Sequence, residues 1–108
     1  MSSVNQTILI GNLVKDVETR GVGTSIMAKL VVATNRSWKT RDGDRREETE
    51  FHDVICWSSV GELVASSNLA KGSKVYIQGY IKTREYTTEA GEKRSHTEVI
   101  AEKVIFLD

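Results

Sequence analysis

KVYIQGYIKTREYT, residues 74–87, alternates with a period of two from end to end. One face takes Lys74, Tyr76, Gln78, Tyr80, Lys82, Arg84 and Tyr86, and the other takes Val75, Ile77, Gly79, Ile81, Thr83, Glu85 and Thr87. Successive side chains of a strand point to opposite sides. The stretch is therefore a long strand with an apolar half facing a core and an outer half that is cationic and aromatic. Tyrosines alternate with charges on many exposed strands because aromatic cross-strand pairs stabilise sheets, so this face gains meaning only with its neighbours.

Those neighbours repeat the pattern. Residues 4–13 form a β-rich run closed by Gly11 and Asn12, and beyond the turn GVGTS, residues 21–25, residues 26–35 give a second strand. The segment SWKTRDGDRREETE, residues 37–50, is charged and contains Asp42-Gly43, which reads as a long exposed loop or protruding hairpin. Residues 49–57 return to strand. SVGE at residues 59–62 has the form of a capping box, Ser59 with Glu62. Val60, Leu63 and Val64 supply an apolar stripe, and Lys71-Gly72 a stop, for one helix of about three turns. Residues 95–107 form the last strand, joined to the opening stretch by EAGEKR with Gly91 at the turn. Three strands, a helix and two strands give an all-β fold: a five-stranded oligonucleotide/oligosaccharide-binding (OB) barrel with one short α-helix between strands 3 and 4.

The chain has 108 residues, 39% of them hydrophobic, which suits a single domain over residues 1–108 with one core. Fifteen basic residues balance 15 acidic ones, so any electrostatic site must come from local placement. One cysteine, Cys56, without a CxxC pair or a Cys/His cluster, predicts no disulfide, no metal and no cofactor. The N-terminus, MSSVNQTILIGNL, lacks the basic start and continuous apolar core of a signal peptide, and no apolar run approaches membrane-span length. The expected setting is cytoplasmic, associated with the nucleoid, and without membrane contact.

In the third strand Phe51, Asp53, Ile55 and Trp57 share one side, and His52, Val54 and Cys56 the other. If the small apolar positions point inward, both large aromatics point out. Trp38 stands at the mouth of the charged segment, which also carries Arg36, Lys39, Arg41, Arg45 and Arg46. Trp38, Phe51, Trp57, Tyr80 and Tyr86, interleaved with Lys82 and Arg84, are expected to form an outer surface on which bases stack while cations follow phosphates. This is the chemistry of single-stranded nucleic-acid binding. Lys39, Arg41, Arg45, Arg46, Lys82 and Arg84 are the expected phosphate contacts, followed by Lys71, Lys74 and Arg20. Tyr76 suits a subunit interface equally well.

The chain also resembles the DNA-binding domain of the bacterial single-stranded DNA-binding proteins. The matching stretches are VNQTILIGNLVKDVETR at residues 4–20, AKLVVATNRSW at 28–38, TEFHDVICW at 49–57, KGSKVYIQGYIKTREY at 71–86 and TEVIAEKVIFL at 97–107. The resemblance implies a homotetramer of OB-folds that wraps single-stranded DNA during replication, recombination and repair, with stacking aromatics at Trp38, Phe51, Trp57 and Tyr86. It implies a subunit interface at His52 and a dimer contact along the first strand, including Val4 and Asn5. Several positions depart from the family's pattern. Asp16-Val17 stands where Asp-Pro is usual, Phe51 and Tyr86 stand where tryptophan is common, and Trp57 where phenylalanine is. Asp53 replaces a common basic residue and is expected to repel phosphate. After Phe106-Leu107-Asp108 there is no Gly/Pro/Gln-rich linker with the acidic tip through which family members recruit replication and repair proteins, so recruitment by that route is not expected of these residues.

An enzyme fits poorly. His52 and Asp53 are adjacent on a strand and point apart, Cys56 is expected inward as a small hydrophobe, and His96, near a hairpin, has no identifiable partner and is expected to be exposed. The GVG at residues 21–23 lacks the remainder of a dinucleotide or phosphate-loop fingerprint, and Asn35-Arg36-Ser37 matches a glycosylation acceptor without a secretory context. The closer alternative is a primosomal-type OB-fold accessory module that binds proteins mainly and single strands weakly. Such a module has no need of the full aromatic set. Stacking and phosphate contacts do not read the sugar, so RNA is a variant of the same reading.

Overall fold

The computed structural model describes residues 2–107. Its elements are β1 (Thr7–Leu13), β2 (Glu18–Val22), β3 (Ser25–Lys39), β4 (Arg45–Cys56), α1 (Ser58–Ala65), β5 (Lys74–Thr87) and β6 (Lys93–Phe106). The strands are ordered β1-β5-β6-β4-β3-β2, and β1 also pairs with β3 through Asn12 with Ala33 and Leu13 with Val32. That last pairing closes β1, β5, β6, β4 and β3 into a five-stranded barrel. Only β4 and β6 run parallel, with Val54 opposite Val99 and Ile55 opposite Ile100. The expected OB-fold is the observed one, its helix lying between the third and fourth barrel strands.

Alternation builds the core. Ala28, Leu30 and Val32 of β3 face Cys56, Val54 and the barrel interior, where they meet Val75 and Ile77 of β5. The intervening Met27, Lys29 and Val31 point outward, opposite Ile55 and Asp53. On β5 the buried series Val75, Ile77, Gly79 stops at Ile81, which is exposed. Beyond this rim β5 and β6 continue as a free hairpin in which Tyr86 lies opposite Arg94. The register shift between Gln78 and Gly79 leaves Glu102 of β6 as the extra residue, a bulge that bends β6 around the barrel, and any side chain at Gly79 would run into the Ile100 carbonyl.

Two local expectations need correction, and one open alternative is resolved. Residues 18–22, of which the sequence reading covers only Gly21 and Val22, as part of a turn, make the extra strand β2, every residue of which is exposed and paired to β3. Of the two forms expected for the charged segment 37–50, the protruding hairpin is the observed one, since β3 and β4 stay paired out to Lys39 with Arg45, leaving a turn with Gly43 at φ 85°. The helix is eight residues, about two turns, and has no capping box. Trp57 occupies its N-cap in extended conformation without a side-chain cap bond, and Ser59 already lies inside the helix. Its end comes at Ala65, well before Lys71-Gly72, because the Ser66 and Ser67 hydroxyls donate to the Leu63 and Val64 carbonyls and compete with further turns.

Candidate nucleic-acid interface

The outward face of the barrel strands carries a groove of about 280 Å³ lined by residues from five strands. Met27, Ile55 and Ile100 form its apolar floor, and Trp57 with Arg20, Lys29, Lys82 and Arg84 stands around it. Period-two geometry explains the set. Arg20 pairs with Met27 across β2 and β3, Lys29 with Ile55 across β3 and β4, and Lys82 with Glu98 across β5 and β6. Trp57 is 41% exposed at the point where β4 ends and the backbone reverses through Ser58, whose φ is 53°. An apolar floor flanked by one indole, four cations and the Glu98 carboxylate, which pairs with Arg84, sets stacking and phosphate contacts side by side.

The other aromatics surround this groove at different distances. Phe51, 64% exposed, lines a cleft of about 400 Å³ with Asp53, His96 and Glu98 where β4 and β6 part. Tyr86, 48% exposed, shares a surface hollow with Arg84 and His96 on the free β5–β6 hairpin. Arg84 and His96 thus link the groove to both. Trp38 sits apart on the β3–β4 hairpin, 37% exposed, opposite Arg46 and with the Arg36 guanidinium stacked 4.3 Å from its ring centroid. It shares strand parity with Leu30 and Val32, not with the side of Phe51 and Trp57. Lys39, Arg41, Arg45 and Arg46 are all exposed on that same hairpin. Tyr80 lies outward opposite Ile100, half-buried.

Lys71 and Lys74 fall outside the groove. Lys74 is eight residues along β5 from Lys82, roughly 26 Å, and Lys71 is in the loop whose backbone N–H donates to Asp16 Oδ1. Val4 is exposed, while the Asn5 side chain both donates to the Ile81 carbonyl and accepts from the Ile81 N–H, prolonging the β1–β5 ladder. Tyr76 faces outward between Ile10 and Ile105, and its hydroxyl donates to Gln78 Oε1. Ile8, Ile10 and Ile105 are exposed beside it. His52 Nε2 lies 2.9 Å from Thr34 Oγ1 on the barrel-interior side. Cys56 is fully buried, and burial pushes its thiol up to about 12.

Sequence reasoning missed Lys29 and mistook His96. Lys29 was legible, since alternation through Ala28, Leu30 and Val32 sends it outward. His96, expected to be exposed and unpartnered, is half-buried with Nε2 2.7 Å from Asp53 Oδ2. The reason is tertiary: the parallel β4–β6 pairing brings residues 53 and 96 together, and nothing local announces it. Asp53, expected as a bare repulsive carboxylate, is accordingly paired. Among the described residues no group of three or more His, Cys, Asp or Glu is placed to hold a metal ion, and no helix is long and apolar enough to cross a membrane.

Comparison with known proteins places this geometry. The chain superimposes on Plasmodium falciparum SSB, solved in complex with ssDNA, with a TM-score of 0.92 at 27% identity, covering 100% of this chain and 98% of that one. It also matches a deletion mutant of the single-stranded DNA binding protein from Thermus aquaticus, with a TM-score of 0.85 at 26% identity, over 97% of this chain and 51% of that one, so it spans about half the Thermus protein. The family model for the single-strand binding proteins matches residues 4–107, nearly the whole sequence, and the chain belongs to the single-strand binding protein family.

Proposed function

We propose that this protein binds single-stranded DNA without regard to sequence and protects it during replication, recombination and repair. The observation that carries the reading is the outer groove, where Trp57 stands over an apolar floor among Arg20, Lys29, Lys82 and Arg84. Bases lie on the indole and the floor, and phosphates follow the cations. Such contacts carry little base identity, so binding is sequence-independent. Phe51 and Tyr86 extend the stacking surface through Arg84 and His96, while Trp38 and the hairpin cations Lys39, Arg41, Arg45 and Arg46 supply a second, outlying contact.

The working unit is one OB-fold domain over residues 1–108, assembled as a homotetramer in the cytoplasm at the nucleoid. Its role is binding and not catalysis. The exposed outer face of β1, with Ile8 and Ile10 beside Tyr76 and Ile105, supports assembly, because contiguous apolar surface of this kind marks an interaction site.

Competition binding with oligothymidylate, oligouridylate and a duplex of equal length tests the reading. The expected order is single strand far ahead of duplex, with the ribose strand reporting how much the sugar matters. Equal binding of duplex and single strand would contradict base stacking as the source of affinity.

A further inference from the structure

Asp53 lies on the outward side of β4, between Phe51 and Trp57, in the midst of the surface just assigned to DNA. A bare carboxylate there opposes every passing phosphate. It is not bare: His96 Nε2 lies 2.7 Å from Asp53 Oδ2 and 3.9 Å from Glu98 Oε2, and Arg84 Nη2 lies 3.3 Å from that same Glu98 oxygen. Glu98 itself is only 8% exposed. The four side chains form one electrostatic unit linking the Trp57 groove to Tyr86 and Phe51.

The charge of this unit depends on one proton. With a neutral imidazole it holds two carboxylates against one guanidinium, a net charge of −1. With an imidazolium it is neutral. The groups around His96 are Asp53 and, in the same cleft, His52 from β4, Arg84 and Tyr86 from β5, and Glu98 and Arg94 on β6 itself. Histidine is the only side-chain type among these whose ordinary charge change falls between about pH 5 and 8. We propose that His96 is a positioning residue of the DNA-binding surface that sets its affinity through protonation, the imidazolium neutralising Asp53 so that a phosphate can pass. The inference rests on the reading of this face as the single-strand surface, and deepens it.

The sign follows from linkage. A phosphate arriving beside the unit adds negative charge and favours the imidazolium, so DNA binding takes up a proton at His96. Affinity then rises as pH falls through the histidine range. A purely structural Asp53–His96 hydrogen bond would hold the β4–β6 junction together and leave the pH profile of binding unmoved.

The test is a set of titrations of the whole chain with labelled oligothymidylate from pH 8 to pH 5.5 at fixed ionic strength. The wild-type affinity is expected to rise about three- to tenfold over this interval, the effect of one added charge about 6 Å from a phosphate that stays largely in water, where the effective dielectric is about 40–80. His96→Gln should flatten the slope of log K against pH. Should that variant fold poorly, Asp53→Asn keeps the imidazole but removes the negative charge beside it, and should bind more tightly than the wild type at pH 8 with a shallower slope. His52 lines the same cleft as Asp53 and His96 while lying 2.9 Å from Thr34 Oγ1, and it is retained in both variants, so a His52→Gln protein that keeps the wild-type slope assigns the effect to His96. A folded His96→Gln protein with the wild-type slope overturns the inference and leaves the proposed function standing. Absence of single-strand binding at every pH overturns both.

Discussion

Arg36 lies with its guanidinium carbon 4.3 Å from the centroid of the Trp38 ring, and Glu48 holds it there, accepting from Nε at 3.0 Å and Nη2 at 2.8 Å. One face of the indole is covered by the cation, and the ring remains 37% exposed. The cation–π contact holds the partly exposed ring on a distal hairpin, and Glu48 neutralises Arg36 while it does so. Glu48→Gln should release that charge to the DNA, tightening binding at low salt and steepening the slope of log K against log salt by about 0.7, the increment for one more phosphate contact on a single strand. Titrations at several salt concentrations measure both; an unchanged slope would place Arg36 off the DNA path.

Trp57 provides the direct test of stacking. Its ring is partly exposed beyond the end of β4 and outside the core, so Trp57→Ala should leave the melting temperature close to wild type while weakening single-strand binding by about 1–3 kcal/mol. A folded variant with full affinity would remove this residue from the platform.

Gly79 marks where β5 and β6 press together. Because a side chain there meets the Ile100 backbone and not a flexible neighbour, Gly79→Ala should lower stability by about 1–3 kcal/mol. Thermal unfolding reads the effect, and an unchanged transition would mean the bulge relaxes freely.

The Cys56 thiol, fully buried and pushed up to about 12 by burial, should resist a thiol-specific reagent at pH 8 until the protein unfolds. The attacking species is the thiolate, and little of it forms inside the barrel. The labelling rate should therefore follow denaturant concentration as unfolding does. Rapid labelling of the native protein would contradict the placement of Cys56 in the core.

His52 is half-buried against Thr34 at the interior edge of β4. In the assembled protein, His52→Tyr should loosen the oligomer, since the larger ring overpacks the site and gives up the Thr34 bond. Sedimentation should show smaller species at micromolar concentration; an undisturbed assembly would take His52 out of the subunit contact.

Legibility in the sequence followed the core. Lys74–Thr87 was readable over its first half because Val75, Ile77 and the outward Tyr and Lys residues alternate against a barrel, and beyond Ile81 because β-branched and aromatic residues continue the period to the Gly91 turn; the order of elements carried the fold. Where a strand has no core side the signal disappears. The ETRGV of β2 and the charged arms of the β3–β4 hairpin are held by backbone pairing, and their side chains record only solvent. The Ser59 and Glu62 spacing matched a capping box, but Trp57 had already taken the cap position. The site divides the same way. Trp57, Lys82 and Arg84 follow from alternation, as Lys29 does, whereas the meeting of His96 with Asp53 depends on the parallel register of β4 against β6 and is invisible locally.

The central claim is that an outer face of stacking aromatics and cations binds single-stranded DNA. Tryptophan fluorescence during titration with oligothymidylate, and with a matched duplex, over several salt concentrations tests it most directly, because Trp38 and Trp57 are both reporters and contacts. Strong quenching by the single strand alone, with log K falling linearly in log salt at about −0.7 per phosphate contacted, is the expected result. No quenching and no binding at low salt would contradict it and make the exposed aromatics a surface for protein partners.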